Sequence, residues 1–411
     1  MNAMAFEPRH VLLQVFQVAL TSVHGRDCVE KRLKRYPRTG PVYLIAIGKA
    51  ACAMAQGAYD VLGTGIVDAL VITKHGYAES LPWPVRAAGH PLPDADSLAA
   101  GQALLDFTAR IPRDTNVLVL LSGGASALVE VLPQGVALNT LRAVNDWLLA
   151  SGLDIAAMNC IRKQLSCLKG GRLAQRLFPR PVLCLAISDV PGDDPSVIGS
   201  GPLTADGQLR LVSDQSALPE LVRAALRQSP PAVRADDDCF RNVHFEIIAT
   251  LDMAKRAAVD VAHQLGYRTA WHNEFTAGDS ITAGSRLATE LLTAPRGEIQ
   301  IWGGETTLVL PPQPGRGGRN QSLALAAAQV LAGWENVWFM AVATDGSDGP
   351  GLDAGALVDG GTVNRGELEG LNTAQALASA DAGRFLEASG DLIQTGPTGT
   401  NVMDFMLGLR T

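Results

Sequence analysis

Cysteine is scarce and unpatterned in this chain: Cys28, Cys52, Cys160, Cys167, Cys184 and Cys239 lie far apart, with no CxxC pair among the six. Such spacing excludes a disulfide framework or a zinc ribbon and points to reduced, small core or surface residues. Positive charge is short as well. A formal net charge of −7 leaves no broad basic face for nucleic acid, and the one basic run, Lys31-Arg-Leu-Lys-Arg35, reads as a solvated helix end. No apolar stretch approaches the roughly 18 residues of a membrane span. Met1 to His10 contains Glu7 and Pro8 and no long apolar run, so no signal peptide is expected and the cytoplasm is the expected location. Several signatures of particular chemistries are missing too. There is no GxxxxGK followed by Ser or Thr, no GxSxG and no HExxH, which argues against a P-loop, a hydrolase elbow and a zinc protease. Gly315-Arg-Gly-Gly-Arg-Asn320 begins like a dinucleotide fingerprint but ends on asparagine, which weakens a dehydrogenase reading.

What is present is a globular chain. Apolar residues make up 47% and charged residues 18% of the 411, and that length favours two domains. Continuous apolar runs mark strands buried on both faces: Val42–Ile47, Ala69–Thr73, Asn116–Leu121 and Pro181–Ile187. Helical patterns alternate with them, from Ala50, from Leu98 to Arg110 behind an Asp94–Ser97 cap, and over Asn139–Ser151. Pro8 to Arg35 reads as a helix pair broken near His24-Gly25. The pattern weakens between Thr204 and Asp238, and Ser229-Pro-Pro-Ala-Val-Arg-Ala-Asp-Asp-Asp238 is the best linker, so domains over 1–235 and 236–411 are expected. The rhythm then resumes with strands Phe245–Ala249, Arg268–Trp271, Glu298–Leu310 and Val337–Ala343, helices Met253–Gly266, Thr282–Leu292 and Ser322–Ala332, and a last helix from Val402. This predicts an α/β protein of two Rossmann-like domains with mostly parallel sheets.

In open parallel sheets, ligands gather at the carboxyl ends of strands. Here those ends carry Gly48-Lys49, Ser122-Gly-Gly-Ala-Ser126, Ser188-Asp189 and Thr344-Asp345. Any one of these can be an ordinary tight turn or a helix cap; four together point to chemistry. Lys49 stands where a helix's positive end disfavours a cation, unless an anion lies between them. Gly123 and Gly124 allow close backbone approach to an anion, and Ser122 and Ser126 add hydroxyl donors. Gly315, Gly317 and Gly318, with Arg316 and Arg319, lead into a helix start and can offer backbone N–H groups and guanidinium forks. Asp189, Asp193, Asp194 and Asp345, with Asp348 close behind, are of the type that holds Mg²⁺ or takes a hydroxyl proton. His75 and His90 lie in loops within reach of a substrate, whereas His244, His263 and His272 read as structural. Cations, glycine loops and carboxylates together make a parts set for phosphoryl transfer from a nucleotide.

Taken in order, Gly48-Lys-Ala50, Gly89-His-Pro-Leu-Pro-Asp94, Ser122-Gly-Gly-Ala-Ser-Ala-Leu128, Arg162-Lys-Gln-Leu-Ser166, Lys169-Gly-Gly-Arg-Leu-Ala174, Ser188-Asp-Val-Pro-Gly-Asp-Asp194 and Ser200-Gly-Pro202 resemble the glycerate 2-kinase family. So do Gly303-Gly-Glu-Thr-Thr307, Gly317-Gly-Arg-Asn-Gln321, Thr344-Asp-Gly-Ser-Asp-Gly349 and Thr395-Gly-Pro-Thr-Gly-Thr-Asn401. This is the two-domain class with a C-terminal MOFRL domain, whose members are often labelled hydroxypyruvate reductases. The resemblance implies phosphorylation of D-glycerate at its 2-hydroxyl by ATP with Mg²⁺, in an interdomain cleft. It implies catalytic roles for Lys49, Arg319 and Asp189, the last as base or metal ligand. Ser122, Gly123, Gly124, Ser126, Gly317, Gly318 and Asn320 are expected at nucleotide phosphates, His90, Arg162 and Lys169 at the acceptor, and Asp189, Asp193 and Asp345 at the metal. Expected partners are glycerate and ATP, with a second copy of the chain as a candidate, and neither nucleic acid nor membrane. The chain departs from the family's pattern at Gln164 (usually histidine), Leu203 after Ser-Gly-Pro, Ser322 and Asp381-Ala-Gly383, which leaves a related hydroxy acid open as acceptor. The alternatives are a hydroxypyruvate or tartronate-semialdehyde reductase and a non-enzymatic anion- or nucleotide-binding module.

Overall fold

The computed structural model describes residues 7–35, 40–153, 155–205 and 218–411; part of the weakly patterned stretch between Thr204 and Asp238 lies outside them. The chain forms two compact units, Gly25–Ile248 and the pair of segments Met1–His24 and Ala249–Thr411. The expected division at 235/236 differs from these units in two places. The C-terminal unit begins later in the chain and also takes the first helix, Pro8–Ser22. That helix packs Phe16 on Phe405 with ring centroids 6.2 Å apart, and its Arg9 pairs with Asp391 at 3.0 Å. The break near His24 thus separates two units rather than bending one helix pair.

In the unit Gly25–Ile248, six strands run β1 (Val42–Ile47), β2 (Ile66–Lys74), β3 (Val85–Ala88), β4 (Asn116–Leu121), β5 (Val182–Ile187) and β6 (Val243–Ala249). They are ordered β3-β2-β1-β4-β5-β6, and the pairs from β3 to β5 are parallel. The apolar runs explain this. Leu44, Ile45, Leu118, Val119, Leu183 and Cys184 are buried on both faces of the sheet, each large aliphatic side chain contributing about 1.5–3 kcal/mol. The helix Ala95–Arg110 covers one face with Ala100, Leu104 and Phe107. Its start is fixed by a reciprocal cap in which Ser97 N–H donates to Asp94 (2.9 Å) and Asp94 N–H donates to Ser97 Oγ (3.0 Å).

The other unit holds β7 (Arg268–Thr276), β8 (Glu298–Gly304), β9 (Val337–Ala343), β10 (Gly355–Asp359), β11 (Leu392–Ile393) and β12 (Asp404–Arg410). Their order is β11-β10-β9-β12-β8-β7. Here the expectation of a mostly parallel sheet is corrected: β7 and β8 are parallel, but β12 runs antiparallel to both β8 and β9, and β10 to both β9 and β11. A parallel step needs a long crossover, as the helix Ser280–Thr293 provides between β7 and β8; the irregular connections 344–354 and 394–403 carry none and reverse the chain. The helix expected from Val402 is strand β12. Phe405, Met406, Leu407 and Leu409 are all buried, and a short apolar run does not distinguish a central strand from a buried helix. The strand expected to reach Leu310 ends at Gly304, and beyond it Val309 and Leu310 are exposed.

Candidate active site

In the unit Gly25–Ile248 the strand order reverses direction between β1 and β4, and that switch point is where open α/β sheets bind ligands. The two turns there are built into one another. Gly48 has φ +135°, and a Cβ on it would lie 2.1 Å from Ser122 Oγ, so only glycine lets the two strand ends pass this closely. Lys49 N–H donates to Gly123 O at 2.9 Å, and Ala50 N–H donates to Ser122 Oγ at 3.1 Å. The Ser122 hydroxyl, fully buried, therefore serves the start of the helix Ala51–Leu62. Gly124, at φ +85°, is bracketed by His90 and Lys49: its Cβ position lies 3.0 Å from the His90 ring and 3.3 Å from Lys49 Cγ.

Next to this turn is a cavity of about 490 Å³ whose wall includes Gly124, Ser126, His90, Arg162, Lys169 and Asp189. Six residues singled out in the sequence thus meet on one wall, and the segments after β3, β4 and β5 carry four of them. Arg162, on the helix Ile155–Gln164, is held by two neutral amides: Nε donates to Asn145 Oδ1 (2.9 Å) and Nη1 to Asn159 Oδ1 (3.3 Å). Partial burial pulls its pKa down from the ordinary guanidinium value. Lys169 is placed differently. Its ammonium is in a buried ion pair with Glu130, whose side chain is 1% exposed. Ser126 Oγ lies 2.8 Å from Ser200 Oγ.

Glu130, Asn145, Asn159 and Ser200 were not singled out as site residues, yet they line the cavity. Glu130 had a signal: it is a lone carboxylate in the apolar run Ala127-Leu-Val-Glu-Val-Leu132. Asp193 sits half-buried with φ +55° on the turn Pro191–Asp193, and Asp194 accepts from Ser196 N–H at 2.8 Å. His75 Nε2 is 3.0 Å from Asp94 Oδ2, at the helix cap.

In the other unit, the loop Gly315–Gly318 and the helix Arg319–Leu331 present an unexpected arrangement. The helix start is already filled by a carboxylate of the protein: Asp348 accepts from Asn320 N–H (3.0 Å), Gln321 N–H (2.8 Å) and Gln321 Nε2 (3.1 Å). Burial pushes Asp348 up to about 6 against the opposing pull of these N–H groups. The loop's glycines face acids as well. A Cβ on Gly318 would lie 2.4 Å from Asp348 Cγ, and one on Gly315 2.4 Å from Asp381 Cβ. Arg316 bridges Asp353 (2.8 Å) and Glu387 (2.6 Å). Arg319 forms a bidentate pair with Asp404, Nε to Oδ2 at 2.7 Å and Nη2 to Oδ1 at 2.9 Å, and reaches Glu305 at 3.0 Å. Burial lowers the Arg319 pKa, but Asp404 outweighs it and raises the value above the ordinary one. Asp345 is buried and accepts from Ser347 N–H at 3.0 Å.

Magnesium takes hard oxygen ligands, commonly one or two carboxylates together with phosphate oxygens. Among the described residues, the group of three His, Cys, Asp or Glu ligand atoms within 4.8 Å is His75, Asp94 and Asp96. Asp189, Asp193 and Asp345 lie outside it. Each still has the chemistry for the ion, and Asp189 on the cavity wall fits the one-carboxylate mode. Among the described residues no helix is long and apolar enough to cross a membrane.

Residues 11–235 match the family described as a domain of unknown function (DUF4147), and residues 298–404 match the MOFRL family. A D-glycerate 2-kinase of Thermotoga maritima is 36% identical over 98% of this chain and 99% of its own. A glycerate 2-kinase of Pyrococcus horikoshii is 34% identical over 92% of this chain and 89% of its own. The crystal structure of a glycerate kinase from Thermotoga maritima superposes with a TM-score of 0.84 at 33% identity, covering 98% of this chain and 99% of that one.

Proposed function

The chain belongs to the glycerate 2-kinase family, and on that premise we propose that it transfers the γ-phosphoryl group of ATP to the 2-hydroxyl of D-glycerate. The products are 2-phospho-D-glycerate and ADP. The observation that carries this reading is the cavity at the β1/β4 switch point, where a half-buried guanidinium, a carboxylate and two hydroxyls converge. Glycerate is a small anion with hydroxyls next to its carboxylate. Arg162 binds the carboxylate, Ser126 and Ser200 hydrogen-bond hydroxyls, and Asp189 orients the 2-hydroxyl and takes its proton. As the bond from O2 to the γ-phosphorus forms, the bond from that phosphorus to the β,γ-bridging oxygen breaks and ADP leaves. His90 and Lys49 bracket Gly124 at the cavity's edge, and Lys49 neutralises charge on the transferring group.

Arg319 binds nucleotide phosphate by exchanging one of its carboxylate contacts, the half-exposed Glu305 being the weaker holder beside the fully buried Asp404. Mg²⁺, when bound with the nucleotide, would shield phosphate charge, and Asp189 and Asp193 are carboxylates of the unit Gly25–Ile248 that suit it. All six cysteines are free thiols, which accords with a cytoplasmic setting. A reductase has less support: β1 ends on Ile47-Gly48-Lys49-Ala50-Ala51, one glycine where a dinucleotide turn uses three. The test is incubation with D-glycerate, ATP and Mg²⁺ followed by ³¹P NMR. A 2-phosphoglycerate resonance with equimolar ADP is the expected result. NADH oxidation on hydroxypyruvate without ADP release would overturn the reading.

A further inference from the structure

The cavity wall carries two cations, and the protein treats them in opposite ways. Lys169 is buried and ion-paired with Glu130, which is itself fixed by Val131 N–H donating to its Oε1 at 3.0 Å. Arg162 is half-buried, and amide oxygens of Asn145 and Asn159 orient it without cancelling its charge. Among the described residues, these two amides are the hydrogen-bond partners of the Arg162 guanidinium, and it forms no ion pair with a carboxylate. A charge held partly out of water without a counterion favours a ligand that supplies one.

Building on the acceptor role given to this cavity, we propose that Glu130 sets the acceptor's charge class. By neutralising Lys169 within the wall, it leaves Arg162, among the described residues lining the cavity, as the cation for an acceptor carboxylate, so the cavity accepts 2-hydroxy acids with one carboxylate and rejects those with two. Glu130 acts as a positioning residue through Lys169. Tartronate is the sharpest probe, since it is glycerate with the terminal CH₂OH replaced by a carboxylate. In Glu130→Gln the ammonium of Lys169 loses its partner, and the second carboxylate of tartronate takes the vacated place.

The experiment measures kcat/KM for D-glycerate and, by calorimetry on nucleotide-free protein, the affinity for glycerate and for tartronate. It uses the full-length wild type, Glu130→Gln, and Glu130→Gln combined with Lys169→Met. Glu130→Gln is expected to raise tartronate affinity relative to glycerate at least tenfold, and the double variant to return the ratio to within about threefold of wild type. Equal losses for both acids in Glu130→Gln would show a merely structural role and overturn the proposal. Should Glu130→Gln fold poorly, the double variant, which leaves no unpaired charge, still decides: tight tartronate binding by it contradicts the proposal. A wild type that binds glycerate but does not phosphorylate it sinks the kinase reading while leaving this binding comparison intact.

Discussion

Two turns in this molecule look alike in sequence and differ in what they face. Gly48-Lys49 with Ser122-Gly-Gly124, and Gly315-Arg-Gly-Gly-Arg319, both join glycines to cations at a helix start. In the first, Gly124 edges an open cavity between His90 and Lys49. In the second, the glycines pack on Asp381 and Asp348, Asp348 occupies the helix N-terminus, and Asp404 holds Arg319. A helix start attracts an anion in either case; the first is capped by the neutral Ser122 hydroxyl, whereas the second is filled by the protein's own carboxylate. Glycine and arginine therefore do not by themselves mark a phosphate cradle. The position of the nearest acid decides.

The sharpest way to break this contrast is to remove each cation. Lys49→Ala is expected to lower turnover by about 10²–10³-fold with a stability change within about 0.5 kcal/mol. Arg319→Ala is expected to cost turnover on the same scale and also about 3 kcal/mol, because Asp404, 0% exposed, is left buried without its partner. Steady-state rates alongside chemical denaturation check both; equal stability for the two variants would erase the distinction. A smaller effect comes from the glycines. Gly318→Ala drives a methyl into Asp348 and should destabilise by about 1–3 kcal/mol. Gly124→Ala should instead raise KM for glycerate about tenfold by pressing on His90 and Lys49, with a stability cost of about 1 kcal/mol for its left-handed backbone.

The smallest effect is a pH dependence. Asp348 sits at about 6 in the folded protein against an ordinary 3.8, so between those values the native state binds more protons than the unfolded chain. Its contribution to stability is complete below the lower value and is lost as pH rises through about 6. Denaturation midpoints should therefore rise as pH falls from 7 to 5, and Asp348→Asn should flatten that slope. An unchanged slope in the variant would remove Asp348 from the account.

How far the sequence reaches depends on locality. The runs at β1, β4 and β9 appear in the structure with the bounds their apolar patterns suggest, because burial on both faces writes itself into consecutive residues. Strand β12 was not legible as a strand: its place between β8 and β9 is set by partners about 60 and 100 residues away. The cavity residues His90, Gly124, Ser126, Arg162, Lys169 and Asp189 were legible as motifs, but not the pairing that separates Arg162 from Lys169. Glu130 lies 39 residues from Lys169, and no local pattern joins them. The carboxylates that fill the Gly315–Arg319 loop come from Asp348, Asp381 and Asp404 for the same reason.

The central claim is that Arg162 holds the acceptor's carboxylate in the cavity beside the β1/β4 switch point. Its most direct test is the KM for D-glycerate of Arg162→Gln, with KM for ATP measured in parallel. The account predicts a rise of about 100-fold or more for glycerate, in keeping with the loss of a charge-assisted bidentate contact, and little change for ATP. An unaltered KM for glycerate, or an equal rise for both substrates, would contradict it.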